Sequence, residues 1–250
     1  MENHIVINNF GGQMLIIKRS NLVIISALIL TLITFIVCFG SLKSSSALSS
    51  EQPKTKVVLD AGHGGVDGGV SGVNTGIKES VINLSIVKKL ERYLIDAGFN
   101  VVLTRSTDAG LYGIATKSLK KKDMQKRKEI IEKAEPSLVV SVHLNKYSLA
   151  SRKGAQVFYR EDCENGKVLA NCIQDAFNEL PSSERNFSAL KGDYYILNCT
   201  EYPSVIAECG FLSNPEEEAM LVTEEYQDEV AYTLFKGIVS YLAETSYNPQ

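Results

Sequence analysis

Short apolar segments alternate with longer helix-like segments after residue 55, and this alternation limits the fold more than any other feature of the chain. Apolar runs typical of buried strands occur at 56–60, 100–105 and 137–144. Charged or amphipathic runs lie between them. Because strands and helices alternate along the sequence, we expect an α/β fold.

The clearest helical segment is predicted over 79–97. Its apolar residues have the spacing of a single buried stripe. They are Ile82, Ile86, Leu90 and Leu94. Gly98 follows the stripe, and glycine suits the left-handed turn that ends many helices.

An uncharged stretch of 18 residues covers 22–39 and follows the basic pair Lys18 and Arg19. It is long enough to cross a bilayer, and the basic pair predicts that residues 1–21 stay in the cytoplasm. The stretch is therefore interpreted as a signal anchor or a cleaved signal peptide. A Ser-rich linker is predicted over 40–55 and a catalytic domain over 56–245. We expect the domain to be exported, either anchored to the membrane or secreted.

The charge of the exported part argues against a nucleic-acid partner. Residues 51–250 hold 23 basic and 28 acidic side chains, a formal charge of −5, whereas binding to phosphates requires clustered positive charge. One basic run stands out, and we interpret it as the solvated face of a helix. It consists of Lys117, Lys120, Lys121, Lys122, Lys126, Arg127 and Lys128.

Four cysteines lie in the exported part, and their spacing matches no paired metal motif. They are Cys163, Cys172, Cys199 and Cys209. Disulfides are permitted outside the cell, but a domain of this size does not need them. We interpret the four as free thiols, although the sequence does not fix their redox state.

Three side chains that bind metals are predicted to converge at the ends of strands. His63 follows the first apolar run and begins a glycine-rich loop, Glu79 begins the helix after that loop, and His143 is near the end of a later apolar run. Ligands of open α/β sheets bind at the carboxyl ends of the strands. Taken singly, each residue has an ordinary structural explanation: a solvated loop histidine, an acid favoured by the helix dipole, and a strand histidine.

The scarcity of histidine strengthens the joint interpretation. The third histidine, His4, precedes the apolar stretch, so both histidines of the exported part lie at strand ends. Two neutral imidazoles and one carboxylate leave a bound Zn²⁺ with a charge of about +1, which acidifies water and polarises a carbonyl. Glu208, at the end of the run 204–208, is the candidate for proton transfer. Strand alternation turns Cys209 to the opposite face, which makes it a poor nucleophile candidate.

Several ordered segments resemble the zinc-dependent N-acetylmuramoyl-L-alanine amidases of the amidase-3 family. They are VVLDAGHGGVDGG, GIKES with NLSIVKKLERYLIDAGFNVVLTRSTD, SLVVSVHLN, GAQVFYR and PSVIAECGFLSNPEE. The resemblance covers residues 56 to about 243. It implies one Zn²⁺ on His63, Glu79 and His143, a catalytic role for Glu208, and a single domain with a mixed six-stranded sheet flanked by helices. It also implies peptidoglycan as substrate, cut between the lactyl group of N-acetylmuramic acid and the L-alanine of the stem peptide.

Within the family, the chain is most similar to the short germination-specific type of the spore cortex, which implies a role in muramic-lactam formation and a location around the forespore. The absence of a wall-binding module leads us to expect an accessory protein or a membrane tether. Two alternatives remain open. One is a peptidoglycan-binding or assembly protein without catalysis, and the other is a non-haem iron oxygenase, which also uses two histidines and one carboxylate.

Overall fold

The structure is a computed structural model that describes residues 4–8, 14–43, 55–183 and 185–247. The chain divides into two compact units, Met1–Pro53 and Lys54–Gln250. Residues 44–54, which make up most of the predicted linker, lie outside the described residues, as do 1–3 and 9–13 of the predicted cytoplasmic segment.

The first unit contains a strand pair followed by a helix. Strand β1 (His4–Asn8) pairs antiparallel with β2 (Met14–Lys18), and helix α1 (Arg19–Lys43) carries the uncharged sequence 22–39. Among the residues that the structure describes, no helix has the length and hydropathy needed to cross a membrane.

The second unit is an α/β domain built on one six-stranded sheet. Its elements in chain order are β3 (Lys56–Ala61), α2 (Glu79–Asp96), β4 (Asn100–Leu103), α3 (Leu119–Ala134), β5 (Leu138–Asn145), β6 (Gln156–Tyr159), α4 (Glu164–Asn178), β7 (Leu190–Lys191), α5 (Tyr195–Asn198), β8 (Ser204–Phe211), α6 (Pro215–Leu221) and α7 (Glu224–Tyr247). The strand order is β4-β3-β5-β8-β6-β7. Neighbours from β4 to β8 are parallel, whereas β6 is antiparallel to β8. The expected fold class, a mixed six-stranded sheet in a single α/β domain, is confirmed.

Alternating side chains of the central strands fill two hydrophobic cores, one on each face of the sheet. Val57 and Leu59 of β3 belong to the core under α2, α4 and α7. Val58 belongs to the other core, which also contains Ile131 of α3 and Leu197 of α5. Each fully buried Val or Leu contributes roughly 1.5–3 kcal/mol. Burial on both faces explains why these strands are apolar throughout their length.

Helix α2 confirms the predicted stripe and its end. Ile82, Ile86, Leu90 and Leu94 are all fully buried. Gly98 follows the helix with φ of +91°, a left-handed conformation that glycine adopts without strain. Because α2 begins at Glu79, burial of this stripe also fixes the position of that carboxylate at the edge of the sheet.

The interpretation of the basic run as a solvated helix face is wrong for Arg127. Five of its lysines are exposed, but the side chain of Arg127 is only 2% exposed and its Nη1 lies 2.5 Å from Oδ1 of Asp60. Its Nε also pairs with Asp123 at 2.7 Å. Arg127 lies on the inner side of α3, and no local pattern in the sequence indicates that it pairs with a buried acid.

Asp60 is held ionised at the centre of this arrangement. Burial alone would raise its pKa, but the Arg127 guanidinium and hydrogen bonds from Ser141 and Thr104 lower the pKa to about 2. Arg127 also donates to the backbone carbonyl of Ala61 at 2.8 Å. The ion pair therefore joins α3 to the end of β3.

We expect Arg127→Met to destabilise the domain strongly, because it leaves the buried Asp60 carboxylate without its cation. Breaking one partner of a buried pair costs about 3–5 kcal/mol, which for a domain of this size lowers Tm by roughly 6–20 °C. Denaturant unfolding of the metal-free full-length chain measures the loss. Lys126→Met is the matched control, since Lys126 is exposed and pairs with Glu129 on the helix surface. An Arg127→Met variant as stable as the control would contradict this account.

Candidate metal centre and its cleft

Three elements bring His63, Glu79 and His143 together at one edge of the sheet. His63 follows the end of β3, Glu79 is the first residue of α2, and His143 is near the end of the adjacent parallel strand β5. One candidate ligand atom from each residue lies within 4.8 Å of the other two. The structure thus places the three residues as the sequence predicted.

The Glu79 carboxylate lies between the two imidazoles. Its Oε1 is 3.0 Å from Nδ1 of His143 and 3.3 Å from Nε2 of His63. The ring centroids are 5.0 Å apart. A nitrogen of each ring thus faces the same carboxylate oxygen, which leaves a small polar space bordered by all three groups.

Hydrogen bonds fix the Glu79 side chain, which is almost fully buried. Its Oε1 accepts from the backbone N–H of Leu144 and from Nδ2 of Asn83, both at 3.1 Å, and its Oε2 accepts from the N–H of Val70 at 3.0 Å. Burial would raise its pKa, but the two histidines hold the pKa well below the usual range. Glu79 is therefore an oriented carboxylate, ready to neutralise a cation.

The backbone at His63 is held in an unusual conformation. Its φ is +61°, a left-handed value that is uncommon outside glycine. Nη2 of Arg127 donates to the His63 carbonyl at 2.6 Å, and Nη2 of Arg105 donates to the Gly62 carbonyl at 2.9 Å. A Cβ on Gly62 would lie 2.2 Å from the His143 ring, so only glycine fits there. Two buried arginines and one glycine thus position both imidazoles.

Asp67 orients His63, and sequence reasoning missed it. Its Oδ1 lies 3.0 Å from Nδ1 of His63, which leaves Nε2 free to face Glu79. Burial lowers the pKa of His63, but Glu79 and Asp67 outweigh this effect and raise it. One sequence signal could have indicated this contact: Asp67 lies four residues after His63 in a glycine-rich loop, and such a loop can turn back on itself. Carboxylates commonly orient metal-binding histidines in this way.

Glu208 lies beside the cluster on the neighbouring strand. It pairs in register with His143 across β5 and β8 and lines the same cleft. Its Oε2 is buried and has no hydrogen-bond partner among the described residues. Burial, with a contribution from Glu79, raises the pKa of Glu208. A buried carboxylate oxygen without a partner is costly in a folded protein, so its presence here indicates a functional role.

Cys209 faces away from the cleft, as strand alternation predicted. It is 2% exposed within the hydrophobic core, and burial raises the pKa of its thiol well above the ordinary value. The other three cysteines are also free thiols in the structure. Cys209 is therefore unsuited to act as a nucleophile.

The cleft has a volume of about 740 Å³ and is bounded by aromatic residues that the sequence did not indicate. Tyr112 stands on one side, where its hydroxyl accepts a hydrogen bond from the N–H of Val66. Tyr194 and Tyr195 stand at the start of α5 on another side, and both are exposed. An open cleft with aromatic sides and a polar base suits a ligand with both apolar and polar faces.

The donor set fits a divalent transition metal. Imidazole and carboxylate groups in this combination bind such ions, and the hydrogen bonds on Glu79 and His63 hold the donors in place. Three protein donors leave part of the coordination sphere open towards the cleft. The unpaired oxygen of Glu208 lies on that side without belonging to the cluster of three.

Comparisons with known proteins agree with the fold and the site. The family model of N-acetylmuramoyl-L-alanine amidase matches residues 57–240. The germination-specific N-acetylmuramoyl-L-alanine amidase of Bacillus subtilis is 34% identical over 198 residues, which cover 78% of this chain and 82% of that protein.

Solved structures show the same similarity. The CwlD amidase from Clostridioides difficile, solved in complex with the GerS lipoprotein, is 36% identical with a TM-score of 0.74 and matches 76% of this chain and 100% of its own. An N-acetylmuramoyl-L-alanine amidase from Clostridium difficile 630 is 28% identical with a TM-score of 0.68, over 76% of this chain and 97% of its own. The chain belongs to the N-acetylmuramoyl-L-alanine amidase family, and it is a hydrolase of the amidase-3 type.

Proposed function

We propose that the chain hydrolyses the amide between the lactyl group of N-acetylmuramic acid and the L-alanine of peptidoglycan, with one Zn²⁺ on His63, Glu79 and His143. The observation that carries this proposal is the convergence of three oriented donors beside a buried carboxylate oxygen without a partner. The presence of all three candidate ligands together with Glu208 favours catalysis over a protein that only binds peptidoglycan. The iron oxygenase alternative has no support, because the family model covers the whole α/β domain.

In the proposed mechanism, the protein orients the reacting groups and moves the proton. Bound zinc would supply Lewis acidity, which polarises a carbonyl and acidifies water. Glu208 accepts the proton of the attacking water on its free Oε2 and then donates it to the departing nitrogen of L-alanine. Asp67 and Asn83 keep His63 and Glu79 in position while this happens.

We expect His63→Ala and His143→Ala each to lose zinc and activity together, because no other histidine of the domain can replace them. Elemental analysis of the purified full-length chain should give about one zinc in the wild type and little in either variant. His4→Ala is the matched control, since His4 lies on β1 in the other compact unit and should leave the zinc content unchanged. Full zinc occupancy in either of the first two variants would refute the ligand assignment.

We expect Glu208→Gln to keep zinc and to lower kcat about 10²- to 10⁴-fold, since an amide of the same size cannot accept the proton. This loss corresponds to roughly 3–5 kcal/mol of barrier. Steady-state kinetics and zinc content on the same sample separate the outcomes. Glu201→Gln, which changes an exposed acid paired with Arg160, should behave as wild type. Near-normal turnover with zinc retained would remove Glu208 from the mechanism, and loss of zinc would make it a ligand.

We also propose a role in the spore cortex, in which cleavage prepares muramic acid for lactam formation. Support comes from the similarity to the germination-specific amidase of Bacillus subtilis and to the CwlD amidase. Because the CwlD amidase was solved with the GerS lipoprotein, an accessory protein is part of this proposal. The uncharged sequence 22–39 supports export and a membrane tether. We also propose 56–245 as the limits of the catalytic domain.

Mass spectrometry of digested peptidoglycan tests the need for a partner. The zinc-loaded full-length chain should release little peptide alone and at least about tenfold more when membranes of sporulating cells are added, because tethering raises the effective concentration of enzyme at its substrate. The Glu208→Gln chain with the same membranes controls for other hydrolases. Equally rapid release with and without membranes would exclude an accessory protein or tether.

A further inference from the structure

A second groove, of about 620 Å³, lies outside the metal cleft and is rich in cationic and aromatic side chains. Its sides include Tyr147, Arg152, Lys153, Arg185 and Phe187. We propose that this groove binds a carboxylate of the peptide that follows the L-alanine at the scissile amide. The inference rests on the proposed function, because it names a subsite for the same substrate.

Two guanidinium groups in the groove lack a carboxylate partner within the described residues. Arg152 instead lies over two aromatic rings, 5.9 Å from the centroid of Tyr147 and 6.0 Å from that of Phe187. Arg185 forms no ion pair with any of the described residues. Lys153 adds a third positive charge, 3.5 Å from the exposed Glu216. Since residues 51–250 carry a net charge of −5, two arginines that have no carboxylate partner in the described part of the chain run against its general charge.

Hydrogen bonds hold the sides of the groove in place. Oδ1 of Asn178 accepts from the N–H of Phe187, and its Nδ2 donates to the carbonyl of the same residue. The N–H of Tyr147 donates to Oγ of Ser213 at 3.0 Å. Gly154 has φ of +99°, and a Cβ there would lie 2.5 Å from the Phe187 ring. The aromatic sides are thus fixed before any ligand arrives, which lowers the entropic cost of binding.

Glu217 links the floor of the groove to the catalytic strand. Its Oε1 accepts from the N–H of Gly154 at 2.9 Å, and its Oε2 accepts from the N–H of Phe211 at 2.8 Å. Phe211 is the last residue of β8, the strand that carries Glu208. Both oxygens of Glu217 are therefore engaged with backbone N–H groups.

The groove is within reach of a short peptide that begins at the scissile amide. Gln156 pairs with Glu208 across β6 and β8, and Gly154 is two residues earlier. Paired Cα atoms lie about 5.5 Å apart and consecutive ones 3.8 Å apart, so the Cα of Gly154 lies within about 13 Å of that of Glu208. An extended peptide spans about 3.3–3.6 Å per residue. Three residues beyond the L-alanine, an extended peptide spans this distance by itself; one residue beyond it, the backbone spans about 7 Å and the long side chains of the glutamate and of Arg152 supply the rest.

An acidic peptide explains the groove better than an acidic protein surface. A bidentate contact from one or two arginines suits a single carboxylate, and the aromatic rings beside it suit the apolar part of a peptide. The groove and the metal cleft also share one edge of the sheet, so a single substrate can occupy both. A protein partner that occupies the groove instead is an alternative that the test separates.

The test compares two tripeptides, Ala-Glu-Ala and Ala-Gln-Ala, both amidated at the C-terminus so that only one carboxylate differs. Calorimetry on the zinc-loaded full-length chain measures their binding, and the same tripeptides joined to N-acetylmuramic acid serve as substrates. The variant carries Arg152→Gln with Arg185→Gln. The control is Arg92→Gln, an exposed arginine of α2 that pairs with Asp228. Arg152→Lys tests whether charge alone restores binding.

We expect the wild type and the Arg92→Gln control to prefer the glutamate peptide about 10- to 100-fold, because a hydrogen bond to a charged group has that strength. The double variant should lose this preference and raise KM for the glutamate substrate by the same factor, with kcat little changed. If the wild type binds the glutamate peptide selectively but cleaves neither substrate even after membranes of sporulating cells are added, the proposed function fails and the groove assignment stands.

Three results would overturn the groove assignment. The wild type could bind both peptides equally, or the double variant could keep the preference. The double variant could also fail to bind an accessory protein while it still bound the glutamate peptide selectively. In that case the groove is a docking site for that protein.

Discussion

The buried pair of Arg127 and Asp60 is the interaction on which the geometry of the metal centre depends. Asp60 is the penultimate residue of β3, an inner strand of the parallel part of the sheet, and Arg127 reaches it from α3. The same guanidinium binds the carbonyl of His63 and so fixes a left-handed backbone that glycine would adopt freely but histidine resists. A packing interaction of the fold is thus also the support of a metal-binding residue.

The candidate ligands are distributed between rigid elements and one constrained loop. Glu79 and His143 belong to a helix and a strand, whereas His63 depends on its hydrogen bonds to Asp67 and Arg127. Of the three candidate ligands, His63 is therefore the one whose backbone conformation is strained. This distribution also means that the arrangement around His63 determines how well the three donors match a metal ion, because the other two are fixed by the sheet and by α2.

The sequence was sufficient for features that depend on local patterns. The stripe of α2, the left-handed Gly98 and the opposite faces of Glu208 and Cys209 follow from periodicities of 3.6 and 2. The convergence of His63 and His143 followed from the rule that ligands bind where parallel strands end. The candidate role of Glu208 came from its position at the end of an apolar run, and the family resemblance implied the same role and supplied the strand number.

Features that depend on contacts between distant segments could not be predicted. Arg127 resembled its exposed lysine neighbours, because its partner Asp60 is 67 residues earlier in the chain. The aromatic side chains of the cleft, Tyr112 and Tyr194, lie in segments without regular periodicity. The same holds for the groove around Arg152, whose sides come from three separate parts of the chain.

The central claim is that His63, Glu79 and His143 hold zinc while Glu208 remains free to carry a proton. Anomalous diffraction at the zinc edge, from crystals of the zinc-loaded protein, tests it most directly. We predict one peak, with Zn–N distances of about 2.0–2.1 Å to both histidines and a Zn–O distance of about 2.0–2.2 Å to Glu79. The Glu208 carboxylate should lie outside bonding distance of the peak. A peak bonded to Glu208, or located away from the three residues, would contradict the account.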